Sequence, residues 1–551
     1  MAKAKPPETV TITYDLFDLP TAQHKSGLAG LLLQIDHMNG RRPKSPTPRI
    51  VERTAISVTI EFTAETTQSL LDDLYDAQIV EAKVKSKWQG ATLKREEAQE
   101  VETPDGKTKT VKLFVYDVVR PSGHFLQQHL PAMEADKDWH KLWRDMLWVV
   151  PRGNPQSRQA FEQRASGEPC KEGASSWTDL QKVSVAASLN AFHTDEVASS
   201  LWMGAQATNA ESIPFRGRAE HTLLLHFWPL TTLIYVPQAV QPDGGAEFVG
   251  FVLAIPEVSN LDSFLADYPL LLAGLSTDIR GFRPADAVID LPAQGALSFF
   301  RHLHRLAADR AAGTEVRYAV SAVECLHQVK LGNNVKTIAA TAVALRPHLL
   351  EDYLAIAGRV GEKAPYGNPL FRRALLLALL EDKPWFQPFG KLFAEWDVSF
   401  FVPTAAPSKL SWFWADARKK IQERIQVMPT DQLPDADDLL MMLIHRLART
   451  YLRERAKRKS GIDPEKFRDG DKIPWDKLPK DFHDSRREVG ESLFLEFRSR
   501  REQAFIEHFA QTFFATKQYL SDDHYAEIGR ALLHRTEDVK TLTLMALSAN
   551  S

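Results

Sequence analysis

The stretch Val316–Leu345 reads VRYAVSAVECLHQVKLGNNVKTIAATAVAL, and the character of the chain changes directly after it. Two strand-like runs flank the segment Gly332-Asn333-Asn334, and glycine and asparagine tolerate the positive φ that tight turns require. The pattern therefore predicts a long antiparallel hairpin. From Pro347 onward apolar residues recur at helical spacing, without a further strand-like run. The fold class that we expect is α+β, a mixed body with antiparallel strands followed by an all-helical C-terminal bundle.

Upstream of this hairpin, strand-like and helical segments alternate. TVTITYDL and TAISVTIEFT alternate apolar and polar residues as half-buried strands do, whereas GLAGLLLQIDHM between them has helical spacing. We interpret HTLLLHFWPL, TTLIYVPQAV and EFVGFVLAIPEV as strands of a second sheet. Four parts are predicted: an N-terminal α+β domain over 1–135, a central domain with a helical insertion and an antiparallel sheet over 136–346, a helical connector over 347–427 and a C-terminal helical bundle over 428–551.

The overall charge of the chain is nearly balanced, with 68 Lys and Arg against 71 Asp and Glu and a net charge of -3. Any contact with nucleic acid must therefore come from local patches or from partner subunits. Cys170 and Cys325 lack the spacing of a zinc site or a disulfide framework. Neither a signal peptide nor a run of roughly 18 apolar residues is present. We expect a cytoplasmic protein without membrane contact, metal or other cofactor.

The most basic segment runs from Leu439 to Ser460 and reads LLMMLIHRLARTYLRERAKRKS. Apolar residues recur at helical spacing up to Tyr451, which predicts one packing face, and cations cover the remainder. Such a face suits a nucleic-acid backbone, and it is equally typical of a solvated helix. Residues proposed for binding a strand backbone are Arg446, Arg449, Arg453, Arg455, Lys457 and Arg458, with Arg418, Lys419 and Lys420 as lesser candidates.

Familiar catalytic signatures are missing from the sequence, including GxxxxGK[ST], GxGxxG after a strand, HExxH and GxSxG. The dipeptide His483-Asp484 is of the kind that supplies two ligands in metal-dependent phosphohydrolases, which also need further His and Asp ligands. Here it lies in a charged segment that we interpret as a connector. We therefore expect no enzymatic activity.

Four segments, taken in order, resemble the large subunit of the type I CRISPR surveillance complex, Cascade, in its MYXAN branch related to subtype I-B. They are YDLFDLPTAQHKSGLAGLLLQI (Tyr14–Ile35), LLLHFWPLTTLIYVPQAVQPDGG (Leu223–Gly245), FVGFVLAIPEVSNLDSF (Phe248–Phe264) and the turn LGNNVK. The resemblance implies a non-catalytic subunit beside crRNA and the backbone subunits. It also implies recognition of the protospacer-adjacent motif in duplex target DNA, R-loop opening and recruitment of a helicase-nuclease.

The resemblance further implies that the C-terminal bundle is like the small subunit of the complex, which related systems also make by internal translation. Met428 is the expected internal start. A motif reader needs small or amide residues near base edges, flanking cations and a wedge. Three loops qualify, Asn39–Arg49, Lys83–Arg95 and Lys330–Lys336, and we favour the last two. The residues proposed for duplex DNA are Lys85, Lys87, Trp88, Gln89, Gly90, Lys94, Arg95, Lys330, Gly332, Asn333, Asn334 and Lys336.

Two other functions remain open from the sequence. A metal-dependent nuclease using His483 and Asp484 predicts cleavage that depends on a divalent ion. A helical adaptor that binds protein and never contacts nucleic acid predicts that the basic helix faces acidic partner surfaces.

Overall fold

A computed structural model gives the architecture, and its residues form two compact units. The first unit comprises Met1–Pro237 and Val249–Arg346, and the second comprises Gln238–Phe248 and Pro347–Ser551. Antiparallel sheets in the first and helices in the second confirm the expected α+β class, whereas the four-part division stays a prediction. The residues that the structure describes are 7–102, 108–133, 137–148, 155–197, 201–203, 211–311, 318–331, 334–359, 362–403, 412–427, 435–468, 473–474, 477–514 and 520–551.

The strands and helices are numbered in chain order. The strands are β1 (Thr9–Asp15), β2 (Arg49–Arg53), β3 (Ser57–Thr63), β4 (Ala77–Val84), β5 (Arg95–Glu102), β6 (Thr108–Pro121), β7 (Thr194–Glu196), β8 (Arg216–Arg218), β9 (Leu233–Val240), β10 (Ala246–Phe248), β11 (Phe251–Val258), β12 (Ile279–Arg280), β13 (Arg283–Pro284), β14 (Val288–Ile289), β15 (Val320–Leu331) and β16 (Asn334–Ala344). The helices are α1 (Ala22–Arg41), α2 (Ala64–Leu74), α3 (His124–His129), α4 (Trp139–Trp148), α5 (Pro155–Ala165), α6 (Lys171–Ser188), α7 (Ala219–Leu224), α8 (Leu261–Ala273), α9 (Gln294–Ala311), α10 (Pro347–Ala357), α11 (Pro369–Glu381), α12 (Gln387–Glu395), α13 (Phe413–Val427), α14 (Ala436–Ser460), α15 (Lys480–Ser499), α16 (Glu502–Phe513), α17 (Asp522–His534) and α18 (Thr536–Asn550).

Three antiparallel sheets organise the first unit. One has the order β1-β3-β2, a second has the order β4-β6-β5, and the third contains β9-β11-β15-β16 with the short β14 parallel to β9. The predicted hairpin is confirmed, since β15 and β16 pair from Ala322 opposite Ala344 to Leu331 opposite Asn334. Two residues of its predicted tip, Gly332 and Asn333, lie outside the described residues.

Helix α1 packs closely against the segment that follows β8. A Cβ atom at Gly27 would lie 2.2 Å from the carbonyl oxygen of Leu224, and one at Gly30 would lie 2.3 Å from that of Phe227. Only glycine permits this approach of helix to backbone. The Ser26 and Thr231 hydroxyls add a buried hydrogen bond of 2.5 Å. Two of the segments that carry the family resemblance therefore pack against each other.

The interpretation of HTLLLHFWPL as a strand is wrong. Its first residues belong to α7, and Trp228–Leu230 form a 3₁₀ turn. Leu223, Leu224 and Leu225 are all buried, and a continuous apolar run does not distinguish a buried helix from a buried strand. The close contacts of Gly27 and Gly30 with this segment are long-range, so the local pattern of apolar residues could not reveal them.

The second unit is built around α18, in which every side chain from Thr541 to Asn550 is buried. Helices α12, α13, α14 and α15 all pack on it. Aromatic rings fill the space between them: the Phe393 and Phe401 rings are 4.9 Å apart, and the Phe393 and Phe494 rings are 5.6 Å apart. No helix in the described part of the chain has the length and apolar character needed to cross a membrane.

Candidate nucleic-acid interface

The predicted basic helix is confirmed as α14, which runs from Ala436 to Ser460. Asp437 and Asp438 occupy its first turn and three cations its last, and both placements are favourable to the helix dipole. Gly461 follows in the left-handed conformation with φ 70°, which is typical of a helix C-terminus. The apolar face, including Leu443 and Leu447, is buried in the second unit.

Four cations of α14 share one face, because their positions are three or four residues apart. They are Arg446, Arg449, Arg453 and Lys457. The C-terminal members are ion-paired: Arg453 lies 3.4 Å from Glu465, and Lys457 lies 2.8 Å from Asp463.

The remaining cations of this helix include some that have a partner and some that have no carboxylate nearby. The Arg455 guanidinium lies over the Tyr451 ring, 5.2 Å from its centroid, and Lys459 pairs with Glu488 at 2.5 Å. Among the carboxylates that the structure describes, none lies within ion-pair distance of Arg446, Arg449 or Arg458. These three arginines therefore retain an uncompensated positive charge at the surface.

A cavity of about 340 Å³ lies beside this helix in the second unit. Helices α13, α14 and α15 each contribute basic side chains to its wall. The basic residues that line it are Arg418, His445, Arg449, His483 and Arg486. The structure thus brings together a predicted backbone-binding residue, Arg449, and a lesser candidate, Arg418. The sequence did not lead us to Arg486, although its spacing of three residues from His483 places the two side chains on one face of a helix.

The charges around the cavity repel one another. Burial, followed by the charges of Arg418 and Arg449, lowers the pKa of Arg486 to about 9. Burial and then the charge of Arg449 also lower the pKa of Arg418. The pKa of His445 falls to about 4, chiefly through burial and then through these arginines. The site therefore disfavours positive charge on Arg418 and Arg486.

In the sheet β4-β6-β5, by contrast, most of the predicted duplex-binding cations are ion-paired. Lys87 lies 3.2 Å from Glu96. Further pairs join Lys83 to Glu97 at 2.6 Å, Lys94 to Asp117 at 2.8 Å and Arg95 to Glu81 at 2.6 Å. Lys85 is exposed and has no ion-pair partner among the described residues.

The loop between β4 and β5 presents Trp88 in a defined position. Its ring stacks on Tyr116 with the centroids 4.8 Å apart, and its backbone N–H donates a hydrogen bond of 3.0 Å to the Tyr116 hydroxyl. Trp88 nevertheless keeps 43% of its surface exposed. Gln89 is exposed, and Gly90 adopts φ 76°, which closes the turn. The tip is therefore both ordered and accessible.

At the β15–β16 hairpin, Lys330 and Lys336 are both exposed and flank the tip. The backbone of Asn334 begins β16, whereas Gly332 and Asn333 lie outside the described residues. The predicted internal start, Met428, also lies outside them.

The proposed metal ligands His483 and Asp484 lie in α15, not in a connector. Asp484 pairs with Arg487 at 3.0 Å, and His483 faces the arginine-lined cavity. Positive charge on that wall opposes a divalent cation. Within the described ranges, the group of possible metal ligands that comes together is Asp179, His193 and Asp195, where Lys182 lies 2.8 Å from Asp179.

The fold and this distribution of charge define a class of protein, a large α+β scaffold whose helical unit carries one strongly basic helix. Comparison with known families specifies it further. The model of the type I-B CRISPR Cas8b N-terminal domain matches residues 47–313, and that of the type I-B CRISPR Cas8b C-terminal domain matches residues 320–550. The chain therefore belongs to the Cas8b family and is the large subunit of a type I-B Cascade, and the resemblance seen in the sequence is confirmed. Membership implies a complex with crRNA and other Cas subunits. A search of curated proteins found no match.

Proposed function

We propose that this subunit recognises the protospacer-adjacent motif in duplex DNA, helps to open and hold the R-loop, and recruits the helicase-nuclease without being an enzyme itself. The observation that carries this proposal is the set of three exposed arginines on α14, Arg446, Arg449 and Arg458, which have no carboxylate within ion-pair distance among the described residues. A subunit that holds a separated strand needs cations along a path and no catalytic centre. The motif-reading and recruitment steps draw their support from the family.

The basic face of α14 has a length that suits a strand backbone. Arg446 and Lys457 are 11 positions apart, which corresponds to about 16 Å along a helix. This length is enough for the face to contact successive phosphates of one strand. We assign backbone contacts to Arg446, Arg449, Arg453, Arg455, Lys457 and Arg458, led by the three arginines without carboxylate partners.

Duplex contacts are assigned to two tips. At the first, Lys85, Trp88, Gln89 and Gly90 reach the DNA, while the ion-paired Lys87, Lys94 and Arg95 hold the strands behind them in register. At the second, Lys330 and Lys336 contact phosphates on either side of Gly332, Asn333 and Asn334. A half-exposed tryptophan on a stacked support is suited to wedge between base pairs.

A separately translated bundle that starts at Met428 remains part of the proposal. The structure indicates which stabilising contacts this shorter product would lack. Such a product lacks α12 and α13, which pack on α18. It would lose the hydrogen bond from the Arg418 Nε to the Ala549 carbonyl, 2.9 Å, and that from the Ser548 hydroxyl to the Phe401 carbonyl, 2.6 Å. We therefore expect this bundle to be stable only when a neighbouring subunit covers the same side of α18.

Coexpression with the neighbouring operon and a CRISPR array tests the function. We expect a C-terminally tagged chain to copurify with crRNA and backbone subunits, with or without a fragment beginning near Met428. The purified complex should protect target DNA and expose the displaced strand to single-strand-specific chemical probes only when the motif is present.

Two results would contradict the proposal. Cleavage of DNA by the isolated chain that needs a divalent ion and is lost in His483→Ala would favour the nuclease. Loss of complex assembly in Arg449→Glu, Arg453→Glu and Arg455→Glu together would favour the adaptor, and assembly with unchanged DNA binding would contradict the role assigned to the basic helix.

A further inference from the structure

The helical part of the second unit exposes one large aromatic side chain, that of Trp412, which keeps 65% of its surface accessible to solvent. The other tryptophan, tyrosine and phenylalanine side chains that the structure describes from Pro347 to Ser551 are buried or half-buried. Leaving so much apolar surface in water is unfavourable, and tryptophan is enriched where proteins contact ligands and partners. Trp412 is therefore a candidate contact residue.

The backbone that carries this indole is fixed at the start of α13. The Trp412 carbonyl accepts hydrogen bonds of 3.1 Å and 3.3 Å from the backbone N–H groups of Ala415 and Asp416. The next side chain, Phe413, is fully buried, with its ring centroid 5.0 Å from that of Phe401. A group that is ordered before binding loses little conformational freedom when a ligand arrives.

A second indole lies beside the first. The Trp412 and Trp414 ring centroids are 6.4 Å apart, and the ring planes are only 26° from parallel. Trp414 is itself supported, because the Arg418 guanidinium lies 5.0 Å from its ring centroid and the Arg418 Nε donates to the Ala549 carbonyl at 2.9 Å. Trp412 is thus the exposed end of an ordered aromatic pair.

Exposed arginines lie next to this pair. Trp414 and Arg449 of α14 line the same cavity, and Arg446 follows Arg449 on the same face of that helix. Both arginines are exposed, and neither has a carboxylate within ion-pair distance among the described residues. Ser551 also lines the cavity, and its terminal carboxylate offsets positive charge there. We therefore place the anionic ligand on the outer face of α14 and not inside the cavity.

An aromatic face beside a row of cations suits unpaired nucleic acid, whose bases stack on indole rings while its phosphates contact arginines. In a duplex the base faces are covered by neighbouring base pairs, and the strand that an R-loop leaves unpaired is the displaced strand. We infer that Trp412, supported by Trp414, stacks on an unpaired base of the displaced strand, whose phosphates lie along Arg449 and Arg446. This inference rests on the proposed function and adds a contact with a base to the backbone contacts assigned above.

R-loop substrates bound by the purified complex test the inference. Three substrates are compared, with an intact displaced strand, with abasic sites in place of its bases, and without this strand. Trp412→Ala should weaken binding of the intact substrate by about fivefold or more, because a base–indole stack is lost. The same variant should change binding of the abasic substrate less than about twofold. Trp412→Phe keeps an aromatic face and should retain most of the affinity for the intact substrate.

Two further variants serve as controls. Leu533 on α17 is 69% exposed, so Leu533→Ala removes a similarly exposed apolar side chain from the same unit and should change binding less than about twofold. Arg449→Gln should reduce the slope of log affinity against log salt by about 0.7, the value for one phosphate of a single strand. Trp412→Ala should leave that slope unchanged, because stacking releases no counterion.

Equal losses of affinity in Trp412→Ala for the intact and abasic substrates, or a loss no larger than that in Leu533→Ala, would overturn the inference. Dissociation of a subunit from the Trp412→Ala complex, detected by native mass spectrometry, would also overturn it and identify Trp412 as a contact with a partner protein. The proposed function is judged on the wild-type complex. If that complex bound the substrate equally well with and without the displaced strand, its proposed role in holding this strand would fail as well.

Discussion

The sheet β4-β6-β5 and the helix α14 each carry a dense series of cations, yet their surfaces differ. In the sheet, antiparallel pairing places Glu81, Glu96, Glu97 and Asp117 beside the lysines and Arg95. On α14, the cations that pair with described carboxylates all lie in its C-terminal half. The number of basic residues in a segment therefore does not determine its potential; the positions of its acidic neighbours do.

The pKa shifts favour the charged form of the side chain in the sheet and disfavour it in the cavity. Hydrogen bonds from Arg95 and then Lys94 lower the pKa of Glu81 to about 2, so the charges of the sheet stabilise one another. In the cavity beside α14, burial and like charges lower the pKa of Arg486 to about 9. In the sheet, opposite charges stabilise one another, whereas in the cavity, like charges lie close together.

The largest expected difference comes from matched charge reversal in the assembled complex. Arg446→Glu with Arg458→Glu should weaken target DNA binding by about tenfold or more, because two uncompensated cations become anions. Lys83→Glu with Lys112→Glu should change it less than about threefold, since these lysines already pair with Glu97 and Glu96. Equilibrium binding at one fixed salt concentration measures both. Equal losses of DNA affinity in the two double variants would show that ion pairing does not distinguish the sheet from α14.

Salt dependence sharpens the same comparison without reversing any charge. Each phosphate contact contributes about 0.9 to the slope of log affinity against log salt. Arg446→Gln with Arg458→Gln should therefore reduce the slope by about two, and Lys83→Gln with Lys112→Gln should leave it unchanged. A slope that falls equally in both variants would show that the ion pairs of the sheet open on DNA.

The smallest effect concerns acid stability of the sheet. The Glu81 pKa is about 2 in the folded chain, below its ordinary value of 4.5, so its ionised form stabilises the fold above about pH 4.5. That contribution is lost as the pH falls from about 4.5 towards 2. Glu81→Gln should lower the thermal midpoint at pH 7 by no more than about 2 °C, and this difference should vanish on acidification. Gln99→Glu, on β5 of the same sheet, serves as a control without an expected loss.

Sequence patterns predicted the elements that depend on local order. The β15–β16 hairpin and α14 follow from turn residues and periodicity, and both are confirmed. The conformation of α7 was missed because its leucines are buried on every side. The arginine cavity could not be predicted, since Arg418, Arg449 and Arg486 belong to three helices whose packing is a long-range property. Ion pairing of Lys94 and Arg95 likewise depends on strand register.

The hairpin β15–β16 also bears on how genes of this family can recombine. The C-terminal family match begins at residue 320, where β15 starts, yet the first unit extends to Arg346. β15 pairs with β11 from Val258 opposite Val320 to Phe251 opposite Gln328. A crossover at the family boundary would join strands from two parents within one sheet. A crossover just after Arg346 would leave every pairing of that sheet with a single parent, although Gln238–Phe248 of the second unit would then come from the other parent than the helices. Sheet pairing therefore favours a junction after Arg346 over one at residue 320.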